Sequence, residues 1–187
     1  TYLPIYARSL EYLSSSYWEL GIRDVAIQLE ETIIELYQLA QAENTQNYAI
    51  SLERLALYYH FLGNYTNAIN LLKQALEVKK EIHGENHHEY AITLNNLAVC
   101  YDNIGDYNAA MELHRQALEI EKMAVGEDHP DYATSLSNLA TAYSQTGEST
   151  LLIDCDLRLG RVHKIFGLSN EKGFSNLLIG QNVVDCA

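Results

Sequence analysis

Two carboxylates near the end of the sequence, Asp154 and Asp156, have a type and spacing that could support chemistry. They follow the apolar run from Leu151 to Ile153, which is typical of a buried parallel strand. Open α/β sheets place their sites at the carboxyl ends of such strands. Residues 1–148 contain no Ser/His/Asp order, no paired catalytic carboxylates and no glycine-rich phosphate loop. Any catalytic chemistry would therefore belong to the segment 149–187.

Histidines at positions 83, 87, 88 and 129 offer a second kind of chemistry, because imidazole is a common metal ligand. The numbers of His87 and His129 differ by 42, a spacing that recurs elsewhere in the chain. No cysteine or carboxylate stands at a metal-ligand spacing from these histidines. The pattern favours structural roles in linkers, and the sequence predicts neither a metal ion nor a cofactor.

This spacing, which we call the repeat period, organises residues 1–148. Tyrosines recur at 6, 48, 90 and 132 and at 17, 59, 101 and 143; leucines recur at 10, 52, 94 and 136 and at 13, 55, 97 and 139; glycines recur at 21, 63, 105 and 147. So many positions in register over four copies indicate an array of repeats rather than a single irregular core.

Each copy has the apolar spacing of two helices. Positions 94, 97, 98 and 101 follow the i, i+3, i+4, i+7 pattern, and a second set follows at 110, 113, 114, 117 and 118. Gly105 is predicted to end the first helix, and Asp106 to begin the second. Pro130 suits the first turn of a helix. Glu30 departs from the apolar pattern of the second helices. Such a departure is expected in a terminal copy that caps the array.

A stack of such helix pairs buries a continuous core and curves into a superhelix with a concave face. On the first helix of each pair, the side opposite the apolar stripe carries the predicted peptide-binding residues Arg54, Asn95, Asn96, Val99, Asn103 and Asn138. An asparagine carboxamide both donates and accepts hydrogen bonds, so it can pair with the backbone of an extended peptide. The arginine could hold a carboxylate of the ligand. The alternative is that these residues merely face solvent.

The negative charge of the chain limits the classes of partner that it can bind. Its net charge is −13, and residues 1–148 carry all of it, with 8 Lys or Arg against 21 Asp or Glu. Such a surface repels phosphates, so no nucleic-acid partner is predicted, and basic partners are favoured.

No apolar run in the sequence is long enough for a membrane span. Cys100, Cys155 and Cys186 are typical of unpaired thiols in a reducing compartment, so the cytoplasm is predicted.

The segments AITLNNLAVCYDNIGDYNAAMELHRQALEIEKMAVGEDHP and ATSLSNLATAYSQTGE resemble tetratricopeptide repeats. The long repeat period is similar to that of the long-linker form in kinesin light chains and many bacterial repeat arrays. The resemblance covers about residues 5–148. It implies that the asparagine before the core Leu-Ala pair, here Asn96 and Asn138, grips the backbone of a bound peptide. Arg54 and Tyr12 hold the equivalent places in the other copies.

The segment after Gly147 is similar to bacterial tyrosine kinases that regulate capsule and exopolysaccharide assembly. The similarity covers about 35 to 45 residues and rests on the apolar run, the motif from Asp154 to Arg158, and the continuation VHKIFGLSNEKGFSNLL. It implies that Asp154 and Asp156 help to hold magnesium and to organise phosphoryl transfer. The phosphate-binding loop that this chemistry needs is absent upstream. Three origins fit this junction: a natural fusion, a truncated or recombined gene, and an artificial chain.

The sequence thus predicts an all-α fold: a tetratricopeptide-repeat superhelix of antiparallel helix pairs, with about three and a half repeats over residues 1–148. A short non-repeat segment follows at 149–187, and it is predicted to be helical or loosely packed. The predicted function is a protein-protein interaction scaffold that binds an extended peptide or a partner helix, without enzymatic activity. The alternative is a nucleotide-binding or kinase-derived signalling protein of polysaccharide regulation, inactive because it lacks the phosphate loop.

Overall fold

A computed structural model describes residues 3–42 and 45–146. These residues form α1 (Leu3–Glu19), α2 (Arg23–Leu39), α3 (Gln46–Phe61), α4 (Tyr65–His83), α5 (His88–Asn103), α6 (Tyr107–Ala124) and α7 (Pro130–Gln145), and they contain no strand. The helices pack as three antiparallel pairs followed by a single helix, which confirms the predicted all-α repeat architecture. None of these described helices is both long and apolar enough to span a membrane. The segment 149–187, with Asp154 and Asp156, lies outside the described residues.

The helix boundaries follow the turn chemistry of the sequence. Gly105 has a φ of +81°, a left-handed conformation that glycine adopts without a steric penalty, and it separates α5 from α6. The Asp106 side chain then accepts a hydrogen bond of 3.2 Å from the amide of Ala109, which caps the start of α6. Pro130 is the first residue of α7, where its missing amide proton has no helical partner to lose. These three predictions from the sequence are confirmed.

The apolar positions of the repeat form the core. One cluster joins α1 to α4 and includes Ile33, Leu52 and Leu55, and a second joins α3 to α6 and includes Leu94 and Leu97. Three alanines where the helices approach closely, Ala98, Ala110 and Ala117, are fully buried. Because each cluster takes residues from neighbouring pairs, no pair buries its apolar surface alone.

The recurring tyrosine near the end of α3, α5 and α7 contacts the second helix of the preceding pair. Tyr59 donates to Oε1 of Glu31 at 2.9 Å, Lys73 Nζ lies 5.8 Å from the ring centroid of Tyr101, and Arg115 Nη2 donates to the hydroxyl of Tyr143 at 2.7 Å. The three partners are themselves separated by one repeat period each. At this position the tyrosine ring is half-buried, and its polar or charged partner on the preceding helix differs from copy to copy.

The first helix is less well covered than its counterparts. Leu13 is 48% exposed, whereas Leu55 and Leu97, at the same position of the next two repeats, are 4% and 3% exposed. Leu55 and Leu97 each have a preceding helix pair against them, and no described helix occupies that side of α1. The same apolar stripe is therefore core in α3 and α5 and partly surface in α1.

Cys100 is expected to resist alkylation while the protein is folded. Its side chain is 1% exposed, and burial raises the pKa of the thiol to about 11. At pH 8 this lowers the reactive thiolate population about 100-fold relative to an ordinary cysteine. Mass spectrometry after iodoacetamide treatment, with and without denaturant, measures this protection. Equal labelling of the Cys100 peptide under both conditions would contradict the buried placement.

Candidate functional site

The six predicted binding residues lie on first helices of the repeats, with Arg54 on α3, Asn138 on α7 and the other four on α5. Arg54, Asn96 and Asn138 occupy one repeat position, since each is separated from the next by one repeat period. The six residues differ in whether their side-chain polar groups form hydrogen bonds. Arg54, Asn95 and Asn103 are bonded to other side chains or backbone groups, whereas the carboxamides of Asn96 and Asn138 have no bond to any residue that the structure describes.

Asn96 is exposed and Asn138 is half-buried, and neither side chain forms a hydrogen bond with another described residue. Val99 lies three residues after Asn96 on the same face of α5 and is half-buried. On α3, the equivalent face carries Leu57, which is 61% exposed, and Phe61, which is 60% exposed. The face therefore combines unbonded carboxamides with uncovered apolar side chains. We call these five residues the groove face.

Asn103 connects two first helices. Its Nδ2 donates to the carbonyl oxygen of Val99 at 2.7 Å and lies 3.2 Å from Nε2 of His60 on α3. The side chain remains exposed despite these contacts. Asn103 thus holds the C-terminal ends of α3 and α5 together at the edge of the groove face.

Arg54 neutralises a buried carboxylate. Its guanidinium donates to Oε1 of Glu30 at 2.9 Å, and it lies 3.8 Å from Oε2 of Glu11. The Glu30 side chain is fully buried, and this burial raises the pKa of Glu30, while the nearby arginine opposes the increase. The charge of Arg54 is therefore already paired inside the first two repeats.

Asn95 is the centre of a polar cluster, which we call the asparagine node, formed with Glu121 and Ser135. Its Nδ2 donates to Oε1 of Glu121 at 3.1 Å and to the hydroxyl of Ser135, and that hydroxyl donates to Oε2 of Glu121 at 2.5 Å. Oδ1 of Asn95 lies 2.9 Å from Nδ1 of His114. Both ends of the carboxamide are therefore used, and they fix α5 against α6 and α7.

The groups around the asparagine node are deeply buried. Glu121 and His114 are both fully buried, and Nε2 of His114 lies 3.2 Å from Oδ2 of Asp102. Burial raises the pKa of Glu121 and of Asp102, and it lowers the pKa of His114. Burial thus disfavours every charge in this region, so the hydrogen bonds carry the interactions.

The preceding repeat has a counterpart, which we call the lysine node, formed by Glu53, Lys79, Glu89 and Thr93. Nζ of Lys79 donates to Oε1 of Glu53 at 2.8 Å and to Oε2 of Glu89 at 3.2 Å, and the Thr93 hydroxyl also donates to Glu53. The Lys79 side chain is 1% exposed. Neither node was predicted from the sequence, although a lysine three residues after the buried Leu76 indicates that the stripe there is not purely apolar.

Two of the linker histidines also meet across a repeat boundary. His88 is the first residue of α5, and His129 caps the start of α7, where its Nδ1 accepts a hydrogen bond of 3.2 Å from the amide of Asp131. The two imidazole centroids are 5.4 Å apart. The capping bond gives His129 the structural role predicted from the sequence. The contact with His88 was not predicted, because it joins residues that are distant in the chain.

Comparison with known proteins gives the same architecture. Residues 47–123 match the family described as tetratricopeptide repeat, and no curated protein matches the sequence. The crystal structure of BtubC (BKLC) from P. vanneervenii is 24% identical, with a TM-score of 0.72 over 78% of this chain and 58% of that one. Tetratricopeptide-like repeats of a protein assigned as a kinesin light chain from Podosopora anserina are 25% identical, with a TM-score of 0.67 over 75% and 66%.

The apo form of RapI shares the fold at 18% identity, with a TM-score of 0.66 over 75% of this chain and 38% of RapI. The chain therefore spans less than two thirds of the length of each of these three proteins. Tetratricopeptide repeats generally serve as protein-protein interaction scaffolds without enzymatic activity. The helix pairs described here form a tetratricopeptide-repeat superhelix, and residues 47–123 carry the sequence pattern of that family.

Proposed function

We propose that this chain is a protein-protein interaction scaffold whose groove face binds an extended peptide segment of a partner. The observation that carries the proposal is the pair Asn96 and Asn138, whose carboxamides have no partner among the described residues. They occupy the same position of two successive first helices. A peptide that runs across α5 and α7 would meet one carboxamide in the third repeat and one in the fourth.

The chemistry of a carboxamide suits a peptide backbone. Each one can donate to a backbone carbonyl and accept from a backbone amide, and this pairing does not depend on the side chains of the ligand. The resemblance to kinesin light-chain repeats assigns the same role to this position. Arg54 holds the equivalent position on α3, but its charge is paired with Glu30, so we assign it a positioning role.

Asn95 is assigned to positioning as well, because its carboxamide is fully bonded inside the asparagine node. Asn103 positions α5 against α3 at the edge of the groove face. The remaining groove-face residues, Leu57, Phe61 and Val99, supply apolar surface for side chains of the ligand. Removing such surface from water favours association, although the ordering of both partners offsets part of the gain.

The charge of the chain suggests which peptides bind. A surface with a net charge of −13 attracts Lys and Arg on either side of the bound segment and repels phosphates. The preferred ligand is therefore an extended peptide with an apolar centre and basic flanks. We place this function in the cytoplasm, with no nucleic-acid partner, no cofactor and no catalysis.

A peptide-library screen on residues 1–187, followed by affinity measurements on the enriched sequence, tests the proposal. The double variant Asn96→Ala, Asn138→Ala is expected to bind the peptide about 100-fold more weakly. Each alanine removes one or two hydrogen bonds of about 0.5–1.5 kcal/mol, which corresponds to about 10-fold per site. The Tm is expected to stay unchanged, because neither carboxamide is bonded to another residue within 3–42 and 45–146.

Asn70→Ala is the matched control, since Asn70 is also an exposed asparagine but lies on the second helix α4. It is expected to bind the peptide as the unmodified chain does. A screen without enriched peptides, or affinities that are the same in the double variant and the control, would reject the groove face as the binding site.

A further inference from the structure

We propose that His88, His129 and Asp131 form a binding site for one divalent transition-metal ion of the Zn²⁺ class, between the third and fourth repeats. One ligand atom from each residue lies within 4.8 Å of the other two. All three residues stand at the N-terminal ends of first helices, His88 on α5 and the other two at the start of α7. A bound ion would therefore join two successive repeats.

The distances between ligand atoms suit a small coordination sphere. Nε2 of His88 lies 3.0 Å from Oδ2 of Asp131, and Nδ1 of His129 lies 3.6 Å from the same oxygen. Around a tetrahedral zinc ion with bonds of about 2.0–2.1 Å, neighbouring ligand atoms are about 3.4 Å apart. Two imidazoles and one carboxylate are a donor set that zinc, nickel and cobalt ions accept, and the fourth position remains open to water.

The orientation of each imidazole ring determines which of its nitrogens can bind the ion. Nδ1 of His88 is buried and has no hydrogen-bond partner among the described residues, so Nε2 is the nitrogen that His88 presents to the cluster. The ion takes the place of a proton on Nε2, and the neutral ring then carries its single proton on Nδ1. Nδ1 of His129 now accepts the amide proton of Asp131, and coordination through that nitrogen replaces this single capping bond. The site can therefore form without rearranging the helices.

The surroundings favour a cation. Asp131 brings a formal negative charge, while the two histidines coordinate as neutral ligands. Glu121 of the asparagine node interacts electrostatically with all three residues. The acidic surface of the repeats adds a long-range attraction for positive ions.

The preceding repeat boundary provides an internal comparison. There, the residues one repeat period earlier are Gln46, His87 and Glu89. Oε1 of Gln46 lies 2.8 Å from Nε2 of His83, and Glu89 is paired with Lys79. Within residues 3–42 and 45–146, the group at His88 is the only set of three metal-ligating side chains that meets. Gln46 stands where the later boundary has His88, so the histidine at this position supplies the ligand that the earlier boundary lacks.

Co²⁺ titration of the full chain, followed by its visible absorption, and Zn²⁺ calorimetry test the proposal. One ion per chain is expected to bind, and saturating Zn²⁺ is expected to raise the Tm by about 3 °C or more. His88→Gln installs the residue that the preceding boundary carries, so the fold is expected to persist. It is expected to weaken Zn²⁺ binding by at least about 100-fold, because a direct ligand is lost. Asp131→Asn removes a different ligand.

His83→Gln is the control, since it removes a histidine of the other linker by the same substitution. It is expected to leave the cobalt spectrum and the zinc affinity unchanged. Absence of any cobalt absorption and of any Tm rise would overturn the proposal. So would binding that survives both His88→Gln and Asp131→Asn, because the ion would then be held by other histidines of the chain.

Discussion

Lys79→Glu is expected to lower the free energy of unfolding by about 4 kcal/mol or more, a large share of the stability of a domain of this size. The Lys79 ammonium is 1% exposed and pairs with the carboxylates of Glu53 and Glu89. The substitution removes the only cation of the lysine node and adds a third carboxylate at the same place. The new carboxylate takes a position that is 1% exposed, beside Glu53, which is 18% exposed, so water compensates little of the repulsion between them. Urea unfolding at pH 7 measures the loss.

A second change is expected to restore much of this loss. In the asparagine node, Asn95 and Glu121 occupy the places of Glu53 and Lys79. The double variant Glu53→Asn, Lys79→Glu therefore rebuilds in the second repeat an arrangement that the third repeat already uses. We expect it to recover more than half of the lost stability, which a double-mutant cycle detects.

Lys80→Glu is the matched control for charge. Lys80 is the next residue, its side chain is 50% exposed, and it pairs with Glu85 at the surface. The same change of net charge there is expected to have a small effect on unfolding. Equal losses from Lys79→Glu and Lys80→Glu would show that net charge, rather than the buried pairing, controls stability.

Arg54→Asn is expected to destabilise the fold by about 3 kcal/mol, because it leaves the fully buried carboxylate of Glu30 without its cation. One repeat period later, Leu72 stands in the place of Glu30 and Asn96 in the place of Arg54. The double variant Glu30→Leu, Arg54→Asn therefore copies the pairing of the second and third repeats. We expect its stability to return to within about 1 kcal/mol of the unmodified chain.

The same double variant separates the structural role of Arg54 from a role in binding. It adds a third carboxamide to the repeat position of Asn96 and Asn138, and it is expected to bind the selected peptide at least as tightly as the unmodified chain. A loss of peptide affinity in this stable variant would mean that Arg54 contacts the ligand directly. An unstable double variant would instead contradict the view that Arg54 is needed in the stack only to neutralise Glu30.

The helix pairs were predictable because their determinants are local. The apolar spacing, the left-handed Gly105 and the Asp106 cap each act within about one turn of a helix. The nodes were not predictable in this way. Thr93 meets Glu53 across 40 residues, and Glu121 meets Asn95 across 26. Such contacts depend on how one pair is rotated against the next, which helical periodicity does not define.

Asn95 and Asn96 show the same limit at the binding site. They are neighbours in the chain and were predicted as one polar surface, yet their side chains point about 100° apart around α5. One enters the boundary with α6 and α7, and the other stays exposed. Periodicity places both outside the stripe of Leu94 and Leu97, but only the packing of the next pair decides which of them is covered.

The chemical differences between the nodes also constrain how such an array can change length. Unequal recombination between copies can remove one period, and an exchange that joined residue 78 to residue 121 would keep the helical pattern intact. It would nevertheless set Glu53 against Glu121, two carboxylates without the Lys79 ammonium. An exchange within a linker, joining residue 86 to residue 129, would keep Glu53 with Lys79 and supply Ser135 in place of Thr93. At this boundary, a loss of one copy therefore preserves the ion pair of Glu53 with Lys79 when the breakpoint carries α3 together with α4.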